Sequence, residues 1–164
     1  MALDFKVKLA EKSDMMDVFY LSNDSAVRKK SFNQEEIILL EHEIWFENKI
    51  KNKDCIFYIA ESFGGDFIGY VRFDKDNLDS DMSYIVTIHV KEEFRGKGIG
   101  TKLLIDVSCI LSKKFKNILI YAYIKKENIA SKKSFLKAGY EIFCEMFIKG
   151  NDCFKLKYAS NNKG

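Results

Sequence analysis

Tyr84-Ile85-Val86-Thr87-Ile88-His89-Val90, continuing through Lys91-Glu92-Glu93-Phe94 into Arg95-Gly96-Lys97-Gly98-Ile99-Gly100-Thr101, is the stretch that decides this fold. An almost unbroken apolar strand enters a basic glycine loop, and a helix follows at once. Leu103, Leu104, Val107, Ile110, Leu111 and Phe115 recur in that helix at its natural period. Such a unit holds a phosphorylated ligand. The glycines let the backbone turn its N–H groups inward, and the new helix aims its positive end at the same point. Two familiar glycine loops do not fit. A P-loop needs Gly-Lys-Ser/Thr where this chain has Gly100-Thr101, and the dinucleotide fingerprint needs Gly where Thr101 stands. What does fit is Arg-x-x-Gly-x-Gly, read from Arg95, Gly98 and Gly100.

Upstream of it, Phe5-Lys6-Val7-Lys8-Leu9 alternates as a first strand. Ser13-Asp14 caps a short helix with Met15, Met16, Val18, Phe19 and Leu21 as its apolar residues. Residues 22–34 are polar and break the pattern. A second helix is predicted over 35–51, burying Ile38, Leu40, Ile44, Trp45 and Ile50. Cys55 to Ala60 reads as a buried strand that turns through Phe63-Gly64-Gly65-Asp66 into a partner, Phe67 to Phe73. Asp74 to Asp81 has the aspartate density of a calcium loop without its order. Counted from Asp74, the glycine position is Asp79 and the closing glutamate position is Ile85. It reads as an exposed turn, and no metal site is expected.

Downstream, Ile118 to Ile124 suits an interior strand covered on both faces. Glu127-Asn128 opens a further helix that ends at Gly139, and Tyr140 to Ile148 pairs with Asp152 to Tyr158 through Lys149-Gly150-Asn151. The order is β-α-α-β-β-β-α-β-α-β-β. It implies one domain over residues 1–158 and a flexible tail over 159–164.

At 164 residues and 47% hydrophobic, the chain has material for one core and not two. A net charge of +3, spread evenly, argues against a nucleic-acid partner. Cys55, Cys109, Cys144 and Cys153 each sit in an apolar run without C-x-x-C or Cys/His ligand spacing, so buried free thiols are expected. No stretch approaches the roughly 18 apolar residues of a membrane span. The N-terminus carries Asp4, Lys6 and Lys8 in place of an apolar signal region, so a cytoplasmic protein is expected.

The signature at Arg95 and the order of elements resemble the GNAT family of N-acetyltransferases over nearly the whole chain. The resemblance implies a single α/β (α+β) domain with about seven strands and four helices. Its central sheet would be mixed, mostly antiparallel and twisted, with splayed central strands. It also implies acetyl-CoA, with the pyrophosphate at Arg95, Gly96, Lys97, Gly98, Ile99, Gly100 and Thr101. The pantetheine arm would pair with the backbone of Ile88 and Val90 as an added strand would. Asn128 and Ser131 match an Asn-x-x-Ser/Ala motif that meets this arm, with Lys132 or Lys133 near the 3′-phosphate. Asn128 reads equally well as a helix cap. Two departures stand out. The Tyr that many members place four residues beyond Ser131 is Phe135, and the usual carboxylate of the central strand is Ile85.

Strand alternation puts Ile85, Thr87 and His89 on one face. His89, with an ordinary pKa near 6.5, is the candidate base or proton relay, and a wall histidine without that role is the alternative. The 22–34 segment, with Arg28, Phe32 and Asn33, and the next helix, with His42, are expected to line the acceptor site beside Thr87. Arg72, lodged in an apolar strand, needs a partner if it faces inward. The runs Asn23-Asp24…Val27-Arg28…Ser31-Phe32-Asn33, Glu41-His42…Trp45-Phe46 and Val71-Arg72-Phe73-Asp74 are also similar to acetyltransferases of bacterial surface-glycan synthesis. Those enzymes modify nucleotide-linked amino sugars. The expected activity is therefore acetyl transfer by direct attack of such a sugar's primary amine. Acetylation of protein N-termini or polyamines, and CoA binding by a sensor without turnover, stand as alternatives.

Overall fold

Seven apolar runs form strands: β1 (Phe5–Leu9), β2 (Cys55–Ser62), β3 (Phe67–Lys75), β4 (Ser83–Val90), β5 (Leu119–Lys125), β6 (Tyr140–Ile148) and β7 (Asn151–Tyr158). In this computed structural model, which describes residues 4–77 and 82–159, they make one sheet ordered β1-β2-β3-β4-β5-β7-β6. Of the acidic connection expected as an exposed turn, Asp74 and Lys75 instead extend β3, and residues 78–81, like nearly all of the expected tail, lie outside the described residues. Every neighbouring pair is antiparallel except β4 with β5. That parallel contact is short: Ser83, Tyr84 and Ile85 pair with Leu119, Ile120 and Tyr121. β4 stays paired with β3 as far as Val90. The expected splay between central strands begins at this point.

The helices are α1 (Met15–Ser22), α2 (Ser25–Lys30), α3 (Leu39–Lys51), α4 (Ile99–Lys114) and α5 (Ile129–Lys137). They cover the two faces of the sheet and define two cores. On one, Leu103, Leu104, Val107 and Leu111 of α4 and Phe135 of α5 pack with Val71, Phe73, Val86, Ile120, Ala122 and Leu156. On the other, Val18 and Leu21 of α1, Val27 of α2 and Phe46 of α3 pack with Phe57, Ile59 and Tyr70. Buried hydroxyls are paired within these cores, Ser108 with Tyr140 at 2.8 Å and Ser22 with Tyr70 at 3.0 Å. Gly69 brings β3 close against β4, since a Cβ there would lie 2.3 Å from the carbonyl oxygen of His89.

The polar 22–34 segment is not irregular throughout. It contains α2, capped by Asp24, whose Oδ1 accepts from the Val27 N–H at 3.1 Å. The next helix begins at Leu39; Trp45 and Ile50 pack against the core as expected, but the rest of its inward side differs from the one expected. Ile38, Leu40 and Ile44 are 60%, 65% and 58% exposed, while His42 and Phe46 are buried. Two helical residues span about 200°. Seating His42 and Phe46 against the sheet therefore sends Leu40 and Ile44 outward. All four cysteines are free, and of these only Cys153 is fully buried. Among the described residues no helix is long and apolar enough to cross a membrane, and no cluster of metal ligands forms.

This orientation of α3 has a measurable consequence. Phe46→Ala should lower the free energy of urea unfolding by about 3–5 kcal/mol. Leu40→Ala should change it by no more than about 0.5 kcal/mol. Equal losses from the two variants would contradict the orientation described.

Candidate active site

Where β4 and β5 part, a cleft of about 890 Å³ opens between α2 and α3 on one side and the glycine loop and α5 on the other. Over residues 86–90 the edge of β4 that faces β5 has no strand partner. Gly96 and Gly98 hold the left-handed φ values of 71° and 78°, and a Cβ on either would meet nothing within 4 Å. The first amide bond inside α4 runs from the Lys102 N–H to the Gly98 carbonyl at 3.0 Å. The N–H groups of Ile99, Gly100 and Thr101 therefore have no partner within the helix and stand at its positive end. Open space beside exposed amides is a cradle for a phosphate.

The two basic side chains of this loop are turned back on the protein. Arg95 donates from Nε to the Val90 carbonyl at 2.7 Å and from Nη2 to Asp24 Oδ1 at 3.1 Å. Lys97 Nζ donates to the Glu93 carbonyl at 2.7 Å. Both side chains are engaged with the protein itself, so the groups this loop leaves open to an anion are its backbone amides. Ile99 contributes backbone alone, its side chain being buried in the core. Ile88, Val90, Ser131 and Lys133 line the cleft. Asn128 also lines it while serving as a cap, its Oδ1 accepting from the Ser131 N–H at 3.2 Å. Lys132 instead lies over the Phe154 ring at 4.4 Å. Phe135 packs edge-on against Tyr140, centroids 4.9 Å apart, and offers the cleft no proton.

On the acceptor side, strand register sets Tyr70 opposite His89 and Arg72 opposite Thr87. The Tyr70 ring meets His89 edge-on at 5.2 Å. Arg72 has the partner its burial demands: Nε donates to Asp74 Oδ2 at 2.6 Å, and its guanidinium lies 4.9 Å from the Trp45 ring centroid. Lys49 completes this group by donating to Asp74 Oδ1 at 2.5 Å. Arg28 departs from the substrate-binding role expected of it. Its N–H groups hold the carbonyls of Ser22, Asn33 and Glu35 at 2.7, 3.0 and 3.3 Å and Ser31 Oγ at 3.3 Å, so it clamps the connection between α2 and α3. Asn33 Oδ1 accepts from the Glu35 N–H at 2.9 Å as part of the same turn.

His42 departs likewise. Its Nε2 donates to the Met15 carbonyl at 3.1 Å, and its ring packs between Phe19 and Trp45. Phe32, Arg72 and Thr87 face the cleft with the remaining acceptor-side candidates around them. Ser22, Tyr70 and Lys125 also line it and were not read from the sequence. The strand position of Tyr70 was legible, but Ser22 and Lys125 fell just outside the elements expected from the sequence, and the pairing that turns all three to one place was not legible.

His89 differs most from its sequence reading. Burial, reinforced by the positive charges of Arg72, Arg28 and Arg95 and only partly opposed by Asp24, pushes its pKa down to about 3. Burial also lowers that of His42. An ascending rate limb near pH 6–7 therefore cannot come from His89, which is a neutral imidazole there. Stability follows the same shift. Between about pH 3 and 6.5 the unfolded chain binds more protons at this residue than the folded one, so acidification through that window destabilises the fold. In urea titrations His89→Gln should show a shallower loss of stability from pH 6.5 downward than the parent. An unchanged slope would mean that His89 titrates normally.

The sequence matches the model of the Acetyltransferase (GNAT) family over residues 17–140. No curated protein matches it significantly. Among solved structures, the spermidine N-acetyltransferase of Vibrio cholerae in complex with CoA and spermine superposes with a TM-score of 0.82 at 19% identity, covering 93% of this chain and 94% of the other. The aminoglycoside acetyltransferase AAC(6')-Ib in complex with ribostamycin and coenzyme A gives 0.82 at 16% identity, covering 98% of both chains. An N-acetyltransferase of Staphylococcus aureus Mu50 gives 0.79 at 21%, covering 94% and 97%. At these identities the structures share the fold. With its motif, its splayed strands and the family match over most of its length, this chain belongs to the GNAT family of acetyltransferases.

Proposed function

We infer that this cleft binds acetyl-CoA and directs its acetyl group to the primary amine of a nucleotide-linked amino sugar. The cofactor half of this reading is supported by the fit of residues to group. The open space beside Gly96 and Gly98 and the amides of Ile99, Gly100 and Thr101 suit a diphosphate. The unpaired edge of β4 at Ile88 and Val90 suits an amide-bearing arm laid along it as an extra strand. Ser131 and Lys133 extend this surface along α5. When bound, acetyl-CoA supplies an acetyl group activated as a thioester.

The acceptor half rests on charge. Among the described residues that line the cleft, Glu41 is the only carboxylate, against Arg28, Lys30, Arg72 and Lys125 on the acceptor side. Spermine and ribostamycin are polycations, and a site of this sign repels them. It favours an acceptor that carries anionic groups. A sugar amine is also less basic than an alkyl amine because neighbouring oxygens withdraw electrons, so more of it is neutral near pH 7. Such an amine needs alignment more than a strong base. Thr87 and the neutral ring of His89 line the same floor and can orient it by hydrogen bonds. A second reading, a CoA-binding sensor without turnover, is favoured by Phe135 and Ile85 standing where relatives carry proton-handling residues.

Two measurements test this. Acetyl-CoA at 100-fold above its Kd should stabilise the fold by about 2.7 kcal/mol. Gly98→Glu should lose that added stabilisation, since its carboxylate occupies the cradle; a retained shift would locate the cofactor elsewhere. Rates of CoA release should then rank nucleotide-linked amino sugars above spermidine and short peptides by at least tenfold in kcat/KM, about 1.4 kcal/mol of transition-state preference. A peptide or polyamine that wins by that margin overturns the acceptor, and no release with any amine favours the sensor.

A further inference from the structure

Lys125 ends β5 and is only 3% exposed. It lies on the face of β5 that carries Tyr121 and Tyr123, opposite the face where Ile120, Ala122 and Ile124 enter the α4–α5 core. That puts it on the acceptor side of the sheet and across the splay from Thr87 and His89, and it lines the cleft. Its side-chain neighbour is the ring of Phe32, whose centroid is 5.8 Å from Nζ, in the connection between α2 and α3. Among the described residues no carboxylate or other hydrogen-bonding group pairs with this ammonium. Other lysines on neighbouring elements do have carboxylate partners, as Lys126 has in Glu145 at 2.6 Å.

A lysine removed from solvent without a counter-charge is costly, and folded proteins almost always pair it. Here the open direction is the cleft, so the missing partner is an anionic ligand. The cofactor's diphosphate has its own cradle at the N-terminus of α4, the helix that packs on the other face of the sheet. We propose that Lys125 is the cation that binds the diphosphate of the acceptor, with the Phe32 ring closing over the same site. This rests on the nucleotide-linked acceptor inferred above and assigns one residue to its anionic half. An ammonium is a point charge that donates to phosphate oxygens in several directions, which suits a flexible diphosphate.

The test uses the full chain saturated with CoA, so that the cofactor's phosphate site is filled. Nucleoside diphosphates are titrated calorimetrically into the parent, Lys125→Met and Lys125→Arg, with melting curves to confirm that each is folded. Methionine keeps the length and removes the charge, and loss of an unpaired buried charge does not endanger folding. The expected result is binding to the parent, at least tenfold weaker binding to Lys125→Met, about 1.4 kcal/mol, and recovery of most of it in Lys125→Arg. In turnover, Lys125→Met should raise KM for the nucleotide-linked amino sugar while leaving KM for acetyl-CoA and kcat/KM for the free amino sugar unchanged. Equal effects on linked and free sugars, a raised KM for acetyl-CoA, or no effect on nucleoside diphosphate binding would each overturn the assignment. If the diphosphate binds through Lys125 but the linked sugar is not acetylated, the anion site stands and the acceptor reading fails. If the linked sugar is acetylated equally well by Lys125→Met, the acceptor reading stands and this assignment fails. If no nucleoside diphosphate binds the parent, the assignment fails outright.

Discussion

The structure turns on a pairing that stops early. β4 and β5 run together for three residues and then separate, leaving the edge of β4 from residue 86 to 90 without a neighbouring strand. Buried backbone N–H and C=O groups require partners, and an unpaired strand edge is a template for whatever can supply them. The rest of the architecture holds that edge open without letting it relax. Gly69 lets β3 press close on the opposite side, the two cores clamp both faces of the sheet, and Arg95 reaches back to the Val90 carbonyl. The cleft is thus the product of a sheet interrupted at one position.

Charge then decides what the cleft can do. Burial, reinforced by three guanidinium groups, keeps the His89 ring neutral, while Asp74 is occupied by Arg72 and Lys49. Burial likewise disfavours the charged forms of His42 and Tyr70. Neither of the two histidines is therefore favoured in its charged form. Positioning and electrostatic preference remain as the means by which such a site acts, and both depend on fixed donors.

Much of this was legible in the sequence, because strand β4, the glycine loop and α4 form a contiguous signal. The alternation of β4 put Thr87 and His89 on one face, and the glycines marked a loop whose backbone can turn inward, which the structure realises with left-handed Gly96 and Gly98. Other features needed the tertiary structure. α2 is only six residues long and rich in lysine, too short to show a period. The inward side of α3 was misread because Leu40 and Ile44 are more apolar than His42, yet His42 finds a backbone acceptor and an aromatic bed. The directions of Arg28 and Arg95 depend on carbonyls and carboxylates supplied by segments remote from them or irregular in conformation. Lys125 lay just past the strand expected over Ile118 to Ile124, and the ring that shelters it comes from residue 32.

Asp24 touches both halves of the cleft at once. One of its oxygens caps α2 through the Val27 N–H and also receives Arg95 from the cofactor loop. The wall proposed to select the acceptor and the loop suited to the cofactor therefore share a carboxylate, although they are far apart in the chain. This makes the acceptor wall a poor candidate for modular exchange. A 22–34 segment grafted from a relative would bring its own side chains, yet without an acid at the Asp24 position it would leave Arg95 held by the Val90 carbonyl alone. Redesign for another amine has to treat Asp24 as part of the scaffold and vary the residues around it.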